Sequence, residues 1–291
     1  MSDERYFINP YPDQYSQNDL IIDKKYWVEY IKETSHLCMK KMKPVGKEKY
    51  CDGGLYTGNL GLIFMCHKII SCGKLSDYEK DYKNYMIECL KANDDFKFKR
   101  DVAFLLGKGG YLIMGCLVSK ISGMESEFKS FFNEYIRLGS TCEPINFLKN
   151  GSDEIFVGRA GYLAGILFLK KYLNIDQFPR DQIYRVCNSI IESGRQCSRE
   201  MNSPSSLMYQ YHGSDYLGAA HGISGIFQML LSFPEYLNEN TEADKLIKQS
   251  IDYILTLQKS NGNFPTRAHL NASTRNDKEL VHWCHGCGGY F

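Results

Sequence analysis

The 291-residue sequence predicts an all-α fold in which helical hairpins repeat and close into a ring. Three observations carry this expectation. Strand-like alternation is scarce, whereas runs with apolar residues at three- and four-residue intervals are frequent. A Gly-x-x-Gly followed by an apolar run recurs five times. Charged amphipathic runs lie between those copies, so the repeating unit is a pair of helices, one amphipathic and one apolar.

The elements follow in chain order. Amphipathic helices are predicted over residues 20–42, 75–92, 128–139, 180–201 and 242–260. Several open after Ser, Asp, Pro or Thr, which helix N-termini favour. The glycine copies interleave with them: Gly58 and Gly61, Gly107 and Gly110, Gly158 and Gly161, Gly222 and Gly225, Gly286 and Gly289. Their first glycines fall about 50 to 65 residues apart, a spacing that marks a repeat architecture. Glycine lets a loop turn tightly and lets two backbones approach closely. In the first three copies the motif reads as helix packing. In a closed ring the five helix N-termini would converge on one cavity, where unpaired amides and positive dipole ends would favour negative charge. Residues 1–291 are expected to form one domain. The fifth copy stops inside its apolar helix, so the chain is expected to be a C-terminally truncated ring.

Composition narrows the function classes. The chain is 43% hydrophobic with a formal net charge of +1, which argues against a nucleic-acid partner. MSDERYFINPYPDQY has no apolar core of a signal peptide, and no glycine follows Met1 for myristoylation. No apolar run reaches the ~18 residues of a membrane helix, which leaves peripheral membrane association open. The 11 cysteines are an odd count, and several sit in apolar helical runs, as at Cys66 and Cys116. A reduced cytoplasmic protein with buried free thiols is expected.

Chemistry concentrates in the last two copies. In Gly218-Ala219-Ala220-His221-Gly222, His221 sits at a helix start with small residues clearing space before it. The positive end of that helix favours the base-competent imidazole. In Trp283-Cys284-His285-Gly286-Cys287, His285 holds the equivalent position and Cys284 precedes it. A thiolate at a helix N-terminus can be a nucleophile or a metal ligand. A redox dithiol of the Cys-x-x-Cys kind needs a preceding strand, and the upstream NGNFPTRAHLNASTRNDKEL reads as a loop. A structural zinc site needs four ligands, and no second cysteine pair has matching spacing. A catalytic zinc needs three and an open position, so Cys284 could supply one.

The sequence resembles the eukaryotic LanC-like proteins, relatives of the bacterial lanthionine cyclases. The matching stretches are INPYPDQY, YTGNLGL, VGRAGYLAGILF, SGRQ, SSLMYQYHGSDYLGAAHGISGIF, NGNFP and LVHWCHGCGG. The resemblance implies an α/α toroid of seven hairpins, about five of them present here. It implies zinc (Zn2+) bound by Cys284 together with a later Cys-His pair that this chain lacks. It implies that His221 is the acid/base histidine, that Glu154 occupies the place of an acidic residue of the cyclases, and that His285 transfers protons or orients a thiolate. The implied activity is addition of the glutathione thiolate to dehydroalanine or dehydrobutyrine residues in proteins. Two stretches depart from the pattern: Cys287-Gly288 replaces an Ala-Pro pair, and LLGKGG replaces a Cys-Gly-Asp-Ala-Gly segment, leaving Lys108 either toward an anionic substrate or as a solvated loop lysine. Two other functions fit part of the pattern. One is a non-catalytic protein that binds glutathione or partner proteins as a scaffold. The other is a glycosidase, for which Glu154 and Asp215 would be the carboxylates.

Overall fold

The computed structural model describes residues 24–42, 54–94, 96–269 and 280–289. The INPYPDQY stretch, Cys51 and residues 270–279 of the loop lie outside the described residues. Within them the chain is helical, and the only strand-like pairings are isolated bridges, Tyr211 with Ser214 and Tyr216 with Arg267.

The helices are α1 (Lys24–Lys41), α2 (Leu60–Cys72), α3 (Glu79–Lys91), α4 (Lys108–Ile121), α5 (Glu125–Cys142), α6 (Arg159–Leu173), α7 (Arg180–Glu200), α8 (Ile223–Leu231), α9 (Pro234–Glu239) and α10 (Thr241–Thr256). Two layers result. Helices α2, α4, α6 and α8 each follow a Gly-x-x-Gly start and contact one another in succession, α2 with α4, α4 with α6 and α6 with α8. Helices α3, α5 and α7 pack outside them, with α4 against α5 and α6 against α7. The sequence explains the division. α4 is apolar nearly all round and buries Leu112, Ile113, Met114, Cys116 and Leu117 completely. α7 buries one stripe, Ile183, Val186, Cys187, Ile190 and Ile191, and turns its arginines outward. Helix α5 runs three residues further at each end than its periodic core suggests, and the short α9, opened by Pro234, has no periodic signal at all.

The second glycine of the Gly-x-x-Gly motif has one geometry. In every copy the second glycine lies against the backbone carbonyl six residues earlier. A Cβ on Gly61 would stand 2.8 Å from the oxygen of Leu55, on Gly110 2.2 Å from Phe104, on Gly161 2.4 Å from Ile155, on Gly225 2.1 Å from Ala219 and on Gly289 2.4 Å from Trp283. The loop folds back over its own helix start, and its carbonyls take the first amides. Arg159 N donates to Ser152 O at 2.8 Å and Ala160 N to Asp153 O at 3.1 Å. Ile223 N donates to Tyr216 O at 3.0 Å and Ser224 N to Leu217 O at 3.2 Å. In α4, Lys108 N donates to Arg100 O at 3.0 Å and Gly110 N to Ala103 O at 3.3 Å. The loop carbonyls thus do the work usually done by Ser, Thr or Asp side chains, and none of these three helices has a side-chain cap. This corrects the expectation of unpaired amides facing a cavity: those amides are already bonded. The packing role expected for the first three copies accords with this geometry.

The described cysteines are all free. Burial pushes the thiols of Cys66, Cys89, Cys116, Cys142 and Cys187 up to about 12, which keeps them protonated and inert.

Two outcomes are expected. Gly161→Ala should cost about 1–3 kcal/mol, because its Cβ collides with backbone that cannot swing aside as a side chain could; the melting temperature should fall by several degrees, and an unchanged melt would refute the close-approach account. Brief iodoacetamide treatment at pH 8 followed by peptide mass spectrometry should label exposed Cys72 and spare those five buried cysteines until denaturant is added.

Candidate functional site

The site is assembled from the loops that precede α6 and α8 and from the segment 280–289. Its centre is a bond between two of these loops: His221 Nδ1–H donates to Glu154 Oε2 at 2.7 Å. Glu154 is 2% exposed, and its other oxygen accepts the backbone N–H of Val157. Both carboxylate oxygens are therefore spoken for within the protein. With Nδ1 engaged, Nε2 is the nitrogen His221 presents outward, and its side chain keeps 27% exposure. The imidazole is held flat. Tyr211 stacks on it with centroids 4.3 Å apart and planes at 2°, and the Phe156 ring lies 4.9 Å away.

A buried ion pair sets the position of Glu154. The neighbouring Asp153 accepts from Arg159 Nη1 at 2.5 Å and from Ser193 Oγ at 2.5 Å. Arg159 is completely buried. It also donates to the carbonyls of Cys142 and Ile145, each at 2.6 Å, and to that of Pro144. The guanidinium's donors thus find charged or carbonyl acceptors, which offsets its desolvation. Gly151, at φ +72°, closes the other end of this loop and leaves room for the Tyr211 ring, which a Cβ would meet at 2.3 Å.

The segment carrying Cys284 and His285 docks on the loop carrying His221. Ala219 N donates to Trp283 O at 3.4 Å. A Cβ on Gly218 would lie 2.1 Å from the carbonyl oxygen of Cys284, so only glycine permits this contact. Asn263 holds the segment from beneath: its Oδ1 accepts from Cys287 N at 2.8 Å and its Nδ2 donates to Leu280 O at 3.1 Å. Gly286 completes the turn at φ +91°. Cys284 and Cys287 are both half-buried free thiols, and Cys287 sits in a turn of 3₁₀ helix. The Tyr216 ring lies between the two histidines, 5.4 Å from His285 and 6.4 Å from His221. Trp283, Phe156 and the exposed Tyr56 line the adjoining face, Trp283 and Tyr56 lying 6.3 and 5.0 Å from Phe156.

Cys284 is a suitable soft donor for zinc, but no group of three His, Cys, Asp or Glu that could hold a metal ion exists among the described residues. The described residues do not by themselves make a zinc site. Other expectations are placed differently from the sequence reading. His221, expected to answer to the positive end of α8, has a carboxylate as its nearest charged partner. Lys108 lies in the first turn of α4 rather than in a loop, and its part-exposed side chain pairs with Glu134 at 2.5 Å. Asp215 is buried, and its Oδ2 accepts both the backbone N–H of His269, at 2.8 Å, and the ring Nδ1–H, at 2.6 Å. Glu154 and Asp215 each hold an imidazole rather than standing as a free carboxylate pair. Tyr211, Phe156, Asn263 and the Asp215–His269 pair escaped the sequence reading, because an aromatic or an asparagine in a loop carries no spacing signal.

An apolar groove of about 550 Å³ between α8 and α10, lined by Phe227, Leu231, Ile251, Ile254 and Leu255, reaches Gly289 but none of His221, Glu154, Cys284 and His285. No helix among the described residues is long and apolar enough to cross a membrane.

The structure is similar to that of nisin cyclase, with a TM-score of 0.62 and 14% sequence identity; the match covers 92% of this chain and 69% of the cyclase. At that identity the likeness establishes the fold, the α/α toroid. The sequence of residues 50–291 matches the family described as lanthionine synthetase C-like protein. The chain therefore belongs to the lanthionine synthetase C-like family.

Proposed function

We propose that this chain adds the thiol of glutathione to dehydroalanine or dehydrobutyrine residues in proteins. The observation that carries the reading is the His221–Glu154 pair: an imidazole fixed by a buried carboxylate, clamped by Tyr211 and Phe156, with Nε2 turned outward beside the segment that bears Cys284. The reaction needs one proton moved. His221 Nε2 takes the proton of the thiol as the sulfur bonds to the β-carbon of the acceptor. The π electrons shift to an enolate, and the same imidazolium returns the proton to the α-carbon. Nothing is oxidised or reduced. Glu154 stabilises the transient imidazolium and holds the ring in position. Tyr216 and His285 border the same space, and the proposed role of His285 is to orient the incoming thiol. A reducing cytoplasm, which supplies glutathione as its thiol, suits the free cysteines.

Zinc is proposed as a cofactor for which Cys284 supplies one thiolate ligand, the others coming from outside the described residues. No step above depends on it.

Two measurements test these readings. With glutathione and a dehydroalanine peptide, His221→Asn and Glu154→Gln should each lower kcat by about 10²–10⁴, the usual range for a positioned acid/base group; wild-type rates in both would exclude the pair, and binding without turnover in the unaltered protein would favour the scaffold reading. For the metal, elemental analysis of the purified protein should find zinc that Cys284→Ala removes. Equal zinc in both proteins would dismiss Cys284 as a ligand.

A further inference from the structure

Residues 266–269 are pinned to the loop that carries His221. Leu217 N donates to Thr266 O at 3.1 Å and Ala268 N to Asp215 O at 3.1 Å. His269 adds its backbone N–H and its ring Nδ1–H, both to the buried Asp215 carboxylate. Tyr216 and Arg267 face each other across an antiparallel bridge, which puts their side chains on one face. The Arg267 guanidinium accordingly lies over the Tyr216 ring, 5.3 Å from its centroid. The same ring borders His285 and His221. Arg267 is exposed and forms no ion pair with another described residue.

A guanidinium stacked on an aromatic face at the edge of a site has the chemistry to receive a carboxylate. Its charge is permanent, its donors form a planar fork that matches a carboxylate, and stacking has already fixed its orientation, so little freedom is lost on binding. We infer that Arg267 binds a carboxylate of the thiol substrate and selects anionic thiols over neutral ones, with Asp215 and His269 as the positioning residues that hold its segment. The inference rests on the thiol-addition reading. The thiol is the source of the carboxylate for a chemical reason. The α-carboxyl of a dehydroamino acid within a protein is consumed in a peptide bond, whereas a small peptide thiol such as glutathione carries free carboxylates.

The test compares glutathione with its diethyl ester as thiol, on one neutral dehydroalanine peptide and one with acidic flanks, using unaltered protein, Arg267→Ala and Arg267→Lys. The unaltered protein should prefer glutathione by about ten- to hundredfold in kcat/KM, the worth of one charged hydrogen-bonded contact. Arg267→Ala should flatten that preference through KM, and Arg267→Lys should restore part of it. A preference that survives Arg267→Ala overturns the inference, as does a loss that follows the acidic peptide instead of the thiol. If no thiol is added by the unaltered protein, the thiol-addition reading fails on its own. Calorimetric titration with S-methylglutathione then decides the present point: binding weakened about tenfold or more by Arg267→Ala supports it, and equal or absent binding overturns it.

Discussion

Everything in this structure hangs on how closely a loop carbonyl can approach the start of a helix. A backbone oxygen sits against the second glycine of each Gly-x-x-Gly, at a distance no Cβ could share. In the second, third and fourth copies, neighbouring carbonyls take the helix's first amides. Those amides would otherwise cost free energy in a crowded, half-dry interior. The loop is therefore clamped to its helix by backbone alone. The close approach also links units: the residue whose carbonyl lies against one second glycine has its own Cβ near the next, so that a Cβ added to Gly110 would stand 3.3 Å from that of Leu55 and one added to Gly161 3.6 Å from that of Phe104.

The candidate site is then built across units rather than within one. Glu154 belongs to the third copy and His221 to the fourth, and the segment of the fifth docks on the loop of the fourth. The buried Asp153–Arg159 pair makes the arrangement rigid from below. Replacing one partner of such a pair would leave an uncompensated buried charge. The carboxylate that orients the histidine is thus held by its backbone, its immediate neighbour and its own hydrogen bond to Val157.

Much of this was legible in the sequence, for identifiable reasons. The amphipathic helices show because one-sided burial imposes a period, as in α7 and α10. The inner helices show because glycine is required at a fixed offset. His221 and Cys284 show because they stand beside those glycines. What was hidden is what depends on three-dimensional pairing. The bond of His221 to Glu154 spans 67 positions, and that of His269 to Asp215 spans 54. Tyr211 lies flat on His221 through a loop bend made by Gly151, which no periodicity records. The helix-end amides look unpaired in the sequence because the loop carbonyls that bond them are brought there only by the folded backbone.

The residue just before the first glycine deserves a different kind of reading. It is Thr57, Leu106, Val157, His221 and His285 in the successive copies. The nearest contact of each second glycine and, in the second, third and fourth copies, those of the first helix amides are made by main-chain atoms. The residue at this position differs in chemistry from copy to copy. Two units hold imidazoles there, two hold aliphatic residues and one holds a hydroxyl. The backbone contacts that hold each helix start and the side chain offered beside them are thus set by different atoms of the same repeat.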